Sequence, residues 1–197
     1  MSFRKFTVGL AASASLLLGL APAAQAADSP AFAVFRDLCV TNRASVSKVI
    51  AKADGQGWQQ LPAGSFDTAE LKEFSRVEVR IRTDNGMQLL LAGEGAFPME
   101  AAGGEMEAEL CMVGVMGADG QAILKEAQAF AGVPKNAAES DDNTTLWIYS
   151  TQSGRRTDLS NATDEAAVAA VRKGTVESVM VEVSDGLVMI GFIIPRL

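Results

Sequence analysis

From Glu105 to Met116 the residues alternate in a strand pattern whose character changes halfway along. Met106, Ala108, Leu110, Met112 and Met116 share one side throughout, while the other side reads Glu105, Glu107, Glu109 and then Cys111, Val113, Val115. Successive residues of a strand face opposite ways, so the first half has one wet face and the second half must be covered on both. That cover has to come from a second layer. The apolar helix that carries Cys39 is the natural candidate, because Phe32, Phe35, Leu38 and Cys39 recur at helical spacing.

The beginning of the chain fixes the compartment in which this contact forms. Arg4 and Lys5, the uncharged run Val8 to Leu20 and the small-x-small site Ala24-Gln25-Ala26 read as a cleavable export signal over residues 1–26. The run is shorter than the roughly 20 apolar residues a membrane span needs. The expectation is therefore a periplasmic chain with no membrane span after cleavage, folded as one domain over residues 27–197. Cys39 and Cys111 are the only two cysteines. In an oxidising compartment they predict a disulfide between the helix and the sheet. Closing a loop of about 70 residues stabilises the fold by on the order of 4 kcal/mol. The pair lacks the Cys-x-x-Cys spacing of redox centres, and two thiols are too few for a structural zinc site.

Four helices and about six strands complete the expected α+β fold, built on a mainly antiparallel sheet. Ser29-Pro30 opens the first helix, and Val46, Val49, Ile50 and Ala53 mark a second stopped at Asp54-Gly55. Asp119 caps a third, closed by Gly132, and Thr163 caps a fourth that ends before Gly174. The hairpin around Asp84-Asn85-Gly86 fits a three-residue loop, which sets Ile81 opposite Leu89 and Val79 opposite Leu91. A two-residue Asp185-Gly186 turn sets Val183 opposite Val188 and Val181 opposite Ile190. Residues 145–151 form a further strand, and Gly93–Gly104 and Pro134–Asn143 read as long loops. The faces Val77, Val79, Ile81 and Val179, Val181, Val183 are expected in one core under the third and fourth helices. Arg76, Arg80 and Arg82 would then form a basic stripe on the opposite, wetter face, a possible partner surface.

Composition removes several function classes. The chain contains no histidine and carries a formal net charge of −7, more acidic still once Arg4 and Lys5 are removed. Nucleic acid, which requires a basic footprint, is a poor partner. Ser45-Val46-Ser47-Lys48 places Ser45 and Lys48 one helical turn apart, a nucleophile arrangement that needs no histidine base. The companion elements of penicillin-binding proteins are present only as Ser140-Asp141-Asp142-Asn143 and the scrambled Lys173-Gly174-Thr175, so the motif is read as a solvated helix face with Lys48 and Lys52 in water. Met106, Met112 and Met116 offer thioethers of the kind that select Cu(I). Their spacing along one strand is too wide for a single ion, and methionine also fills cores. Glu139, Asp141, Asp142 and Asn143 lack the order that wraps calcium. Arg155-Arg156 could receive an anion at a hairpin end.

The ordered set Phe35-Arg36-Asp37-Leu38-Cys39-Val40, Gly57-Trp58, Cys111-Met112-Val113, Trp147-Ile148-Tyr149 and Gly154-Arg155 resembles small exported proteobacterial proteins of unknown function, some of them lipoproteins. This resemblance implies a structural pattern and no activity, and no cysteine stands directly after the cleavage site to carry a lipid. The sequence thus points to a periplasmic, non-enzymatic protein that needs no cofactor or metal and binds a protein or small-molecule ligand. A Ser45/Lys48 hydrolase and a methionine metal carrier are the alternatives.

Overall fold

A computed structural model describes residues 28–62, 74–84, 86–99, 104–138, 140–184 and 186–197. Residues 1–26, expected from the sequence to be an export signal, lie outside the described residues, as do Asn85, Glu139 and Asp185. Helix α1 (Pro30–Phe35) runs directly into a π-helical segment (Arg36–Val40). Helices α2 (Val46–Gly55), α3 (Gly120–Ala131) and α4 (Asp164–Arg172) follow in chain order. The strands are β1 (Gln59–Gln60), β2 (Phe74–Arg82), β3 (Gln88–Met99), β4 (Gly104–Met116), β5 (Thr144–Gln152), β6 (Arg155–Asp158), β7 (Val176–Ser184) and β8 (Leu187–Arg196). All pairings are antiparallel, in one sheet ordered β1-β2-β3-β4-β8-β7-β5-β6.

The helix ends follow their capping chemistry. Ser29 accepts from the Phe32 backbone N–H, Asp119 from Gln121 and Ala122, and Thr163 from Ala166. Gly132 closes α3 in the left-handed region that glycine adopts most readily. Ser29 also donates its backbone N–H and its hydroxyl to the Glu126 carboxylate at 2.6 Å each, which fastens the start of α1 to α3. Lys52 on α2 donates to the side chain of Asp37 at 2.5 Å, which joins the π segment to α2.

Helices α1, α2 and α3 cover one face of the sheet. Phe32, Phe35, Leu38, Val49, Ile123 and Ala127 meet Leu90, Cys111, Val113, Ile190, Phe192 and Trp147 there in a single buried cluster. The Cys39–Cys111 disulfide crosses this interface, with Cα atoms 5.3 Å apart, and forms the expected helix-to-sheet clamp. Helix α4 lies on the other face, where Ala170 and Val171 pack with Val176, Met106, Ile148 and Leu159.

Both expected hairpin registers are present: Ile81 pairs with Leu89 and Val79 with Leu91, and Val183 pairs with Val188 and Val181 with Ile190. Three expectations are corrected. The sheet has eight strands, because β1 and β6 add short edges. Gly93–Met99 continues β3 instead of opening a loop, with Gly93 opposite Val77 and the Phe74 ring lying 3.0 Å from where a Gly93 Cβ would stand. The third correction concerns the faces. Pairing across the sheet runs Val181, Ile190, Val113, Leu90, Arg80 along one rung and Met180, Gly191, Met112, Leu91, Val79 along the next. Val79 and Val181 therefore point to opposite sides, and the arginines of β2 share the helix-covered face.

Candidate binding face

The residues singled out by sequence separate in space. Ser45 is the half-buried N-cap residue of α2 and makes no capping hydrogen bond, whereas Lys48 is exposed on the same helix. No hydrogen bond joins the two side chains among the described residues. Arg76, Arg80 and Arg82 do not form a free basic stripe. Arg80 is only 5 % exposed; its Nε donates to Asp54 of α2 at 2.8 Å and its Nη1 to Glu78 at 3.2 Å. Burial pulls its guanidinium pKa down, and the two carboxylates more than reverse this, so Arg80 stays cationic. Arg82 stacks over Trp58 at 4.7 Å and donates to Gln88. Arg76, at the outer end, pairs with Glu78 at 3.4 Å.

The remaining charged motifs have local roles. Asp141 accepts from the backbone N–H groups of Asn143 and Thr144, at 2.8 and 2.7 Å, and so shapes the turn before β5. Among the described residues, no three acidic or cysteine side chains are placed to share a metal ion. Arg156 is held between the rings of Phe130 and Tyr149, at 4.4 and 4.6 Å, and donates to the Phe130 carbonyl. Arg155 is exposed.

The three methionines of β4 also part company. Met106 packs against the cluster under α4, and Met116 is 45 % exposed at the strand end. Met112 instead joins two methionines from neighbouring strands. It stands opposite Gly191 of β8, and Gly191 stands opposite Met180 of β7. On the adjacent rung Gly114 stands opposite Met189, and Met189 opposite Glu182.

These side chains lean over the glycines. A Cβ at Gly191 would lie 3.3 Å from Met112 Cγ and 3.6 Å from Met180 Cε, and one at Gly114 would lie 2.5 Å from Met189 Sδ. The two glycines are what allows three thioether side chains to occupy two rungs. Leu91, Leu110, Val77, Phe74 and Ile193 surround Met112, Met180 and Met189 in a cluster to which, among the described residues, no helix contributes.

Met180, Met189 and Glu182 were not identified from sequence, where they fell on the sides of β7 and β8 opposite the valines. The signal was available in β8, whose second side, Leu187, Met189, Gly191 and Ile193, is itself free of charge. No protein-family profile, curated protein or solved structure matches this chain. Among the described residues no helix is long and apolar enough to cross a membrane.

Proposed function

We propose that the chain is an exported, non-enzymatic binding protein that takes a small ligand on the sheet face opposite α1, α2 and α3. The two-rung patch of Met112, Met180 and Met189 supports this reading. It is an apolar, adaptable cluster to which, among the described residues, no helix contributes, and flexible thioether side chains are characteristic of sites that re-pack around a ligand. The helix-covered face supplies packing, and its polar groups are spent on internal pairs such as Arg80 with Asp54 and Glu78. Residues 1–26 and a disulfide that persists only under oxidising conditions support delivery outside the cytoplasm.

Methyl NMR tests the reading. The small-molecule fraction of an envelope extract is added to protein labelled at its methionine, isoleucine, leucine and valine methyls. Shifts confined to Met112, Met180, Met189 and their neighbours are expected. An unchanged spectrum, or shifts at the helix-covered face, would count against it. Covalent labelling of Ser45 by a serine-reactive acylating probe would favour the hydrolase instead.

A further inference from the structure

We infer that the cleft between α4 and the β5–β6 hairpin binds a small organic carboxylate, gripped at its charged end by Arg155 and Lys173 and along its hydrocarbon body by the alanines of α4. This site is separate from the methionine patch and does not depend on it. The cleft has a volume of about 460 Å³, within the roughly 300–1,000 Å³ typical of small-ligand pockets. Register sets its floor. Gln152 stands opposite Arg155 and Ser150 opposite Thr157, so these four side chains point to one side of the sheet. On its other edge Ser150 stands opposite Val176, where β7 begins a few residues after Lys173. Arg155 and Lys173 therefore enter the cleft from the two flanks of β5. Ala166, Ala169 and Ala170, which recur at helical spacing, form the facing wall, and Leu159 closes one part of it.

The charges of the cleft point to an anion. Arg36, Arg43, Arg76, Arg80, Arg82 and Arg196 each have a carboxylate partner, and Arg156 is taken up by Phe130 and Tyr149 on the opposite side of the sheet. The side chains of Arg155 and Lys173 form no ion pair or hydrogen bond among the described residues, and no Asp or Glu of those residues lines the cleft. In a chain of net charge −7, two unpaired cations beside a low-dielectric wall gather positive potential at one place. The Arg155 guanidinium presents a planar fork that matches the two oxygens of a carboxylate, and Lys173 adds a mobile point charge. Ser150, only 6 % exposed, refines the choice. Thr175 donates its single hydroxyl proton to the Ala170 carbonyl at 3.1 Å, so the proton in the 2.8 Å Ser150–Thr175 bond belongs to Ser150. The Ser150 oxygen is left to the cleft as an acceptor alone, a poor neighbour for the several oxygens of a phosphate. An inorganic ion also has no apolar body to meet Leu159 and the alanines.

Hexanoate is the probe, titrated into the disulfide-bonded protein labelled at its alanine, leucine and methionine methyls. Saturable shifts should appear at Leu159, Ala166, Ala169 and Ala170 and not at Met112, Met180 or Met189. Hexan-1-ol, which has the body without the charge, and inorganic phosphate, which has the charge without the body, should each bind at least about fivefold more weakly. Raising salt from roughly 0.05 to 0.5 M should weaken hexanoate several-fold and leave hexan-1-ol nearly unchanged. The Arg155→Gln/Lys173→Gln variant replaces two exposed, unpaired side chains and should stay folded while losing at least about fivefold in affinity for hexanoate. Lys48→Gln, which removes a cation on α2, should bind as wild type does. Ala169→Leu keeps a good helix former and fills the cleft, so it should abolish the shifts. Absence of saturable shifts at the α4 alanines, equal binding of hexan-1-ol, or undiminished affinity in either cleft variant overturns the inference. Phosphate binding as tight as hexanoate would make this a plain anion site and overturn its assignment to an organic carboxylate. The wild-type titrations decide the matter even if a variant fails to fold. If hexanoate moves only Met112, Met180 and Met189, the methionine face stands as a binding surface and the α4 cleft falls.

Discussion

Two buried residues separate what a single position owes to its pairs from what it owes to its packing. Arg80 is enclosed between Asp54 and Glu78, whereas Arg76 reaches solvent beside the same Glu78. Arg80→Ser removes the cation from two carboxylates that can partly rehydrate, so a loss of about 1–3 kcal/mol in urea unfolding is expected. Arg76→Ser should change stability by less than about 0.5 kcal/mol. Tyr149, the only tyrosine, is fully buried, and its hydroxyl has no hydrogen-bond partner among the described residues. Burial raises its pKa, Glu177 adds to the rise, and the Arg156 charge only partly opposes it. A tyrosine whose folded pKa is raised contributes stability that is complete below its unfolded pKa of about 10 and is lost as pH climbs past it. The phenolate band should therefore appear in alkaline titration only as the protein unfolds. Tyr149→Phe should flatten the alkaline loss of stability relative to wild type and cost nothing near neutrality, because the hydroxyl it removes is unsatisfied. A drop of more than about 1 kcal/mol at neutral pH would show that the hydroxyl has a bonding role.

At the level of elements, legibility followed the range of the interaction. The caps of α1, α3 and α4 are set within a few residues, and Ser29, Asp119 and Thr163 could be read directly. Hairpin registers are set by turn length, and both came out as the Asp84-Asn85-Gly86 and Asp185-Gly186 segments implied. Strands β1 and β6 escaped notice because one is two residues long and the other, Arg155–Asp158, has no apolar alternation to display. Gly93 and Gly95 looked like breaks but lie within a paired strand, where Gly93 makes room for the Phe74 ring. The β5–β6 turn is also less than optimal. Gln152 pairs with Arg155 around Ser153-Gly154, and both turn residues have positive φ, 49° and 77°. A two-residue loop of this shape favours asparagine in its first position. Ser153→Asn should therefore raise stability by about 0.5–1 kcal/mol in thermal or urea unfolding, and a fall would show that the Ser153 side chain has a role outside the turn.

For the molecule as a whole, the decisive pairing is β4 with β8, which no local rule specifies. It joins the N-terminal meander β1–β4 to the C-terminal set β5–β8, and its register decides which sides share a core. The valines of β2 and β7 could not be assigned to faces without it, which is why Arg80 was placed in solvent and the methionine patch went unseen. The disulfide, by contrast, was legible because compartment and pattern pointed to the same two residues. Alkylation without reductant should label no thiol, and replacing Cys39 and Cys111 with serine should cost on the order of 4 kcal/mol, since the bridge closes a separation of 72 residues. A double variant as stable as wild type would show that packing alone holds α1 and the π-helical segment Arg36–Val40 on the sheet. The place of β8 also has a consequence in time. Strand β8 follows both β4 and β7 along the chain yet lies between them, so until it is made both present open edges. A nascent chain therefore cannot join its two halves into one sheet before β8 has emerged, however early the strands made before it have paired.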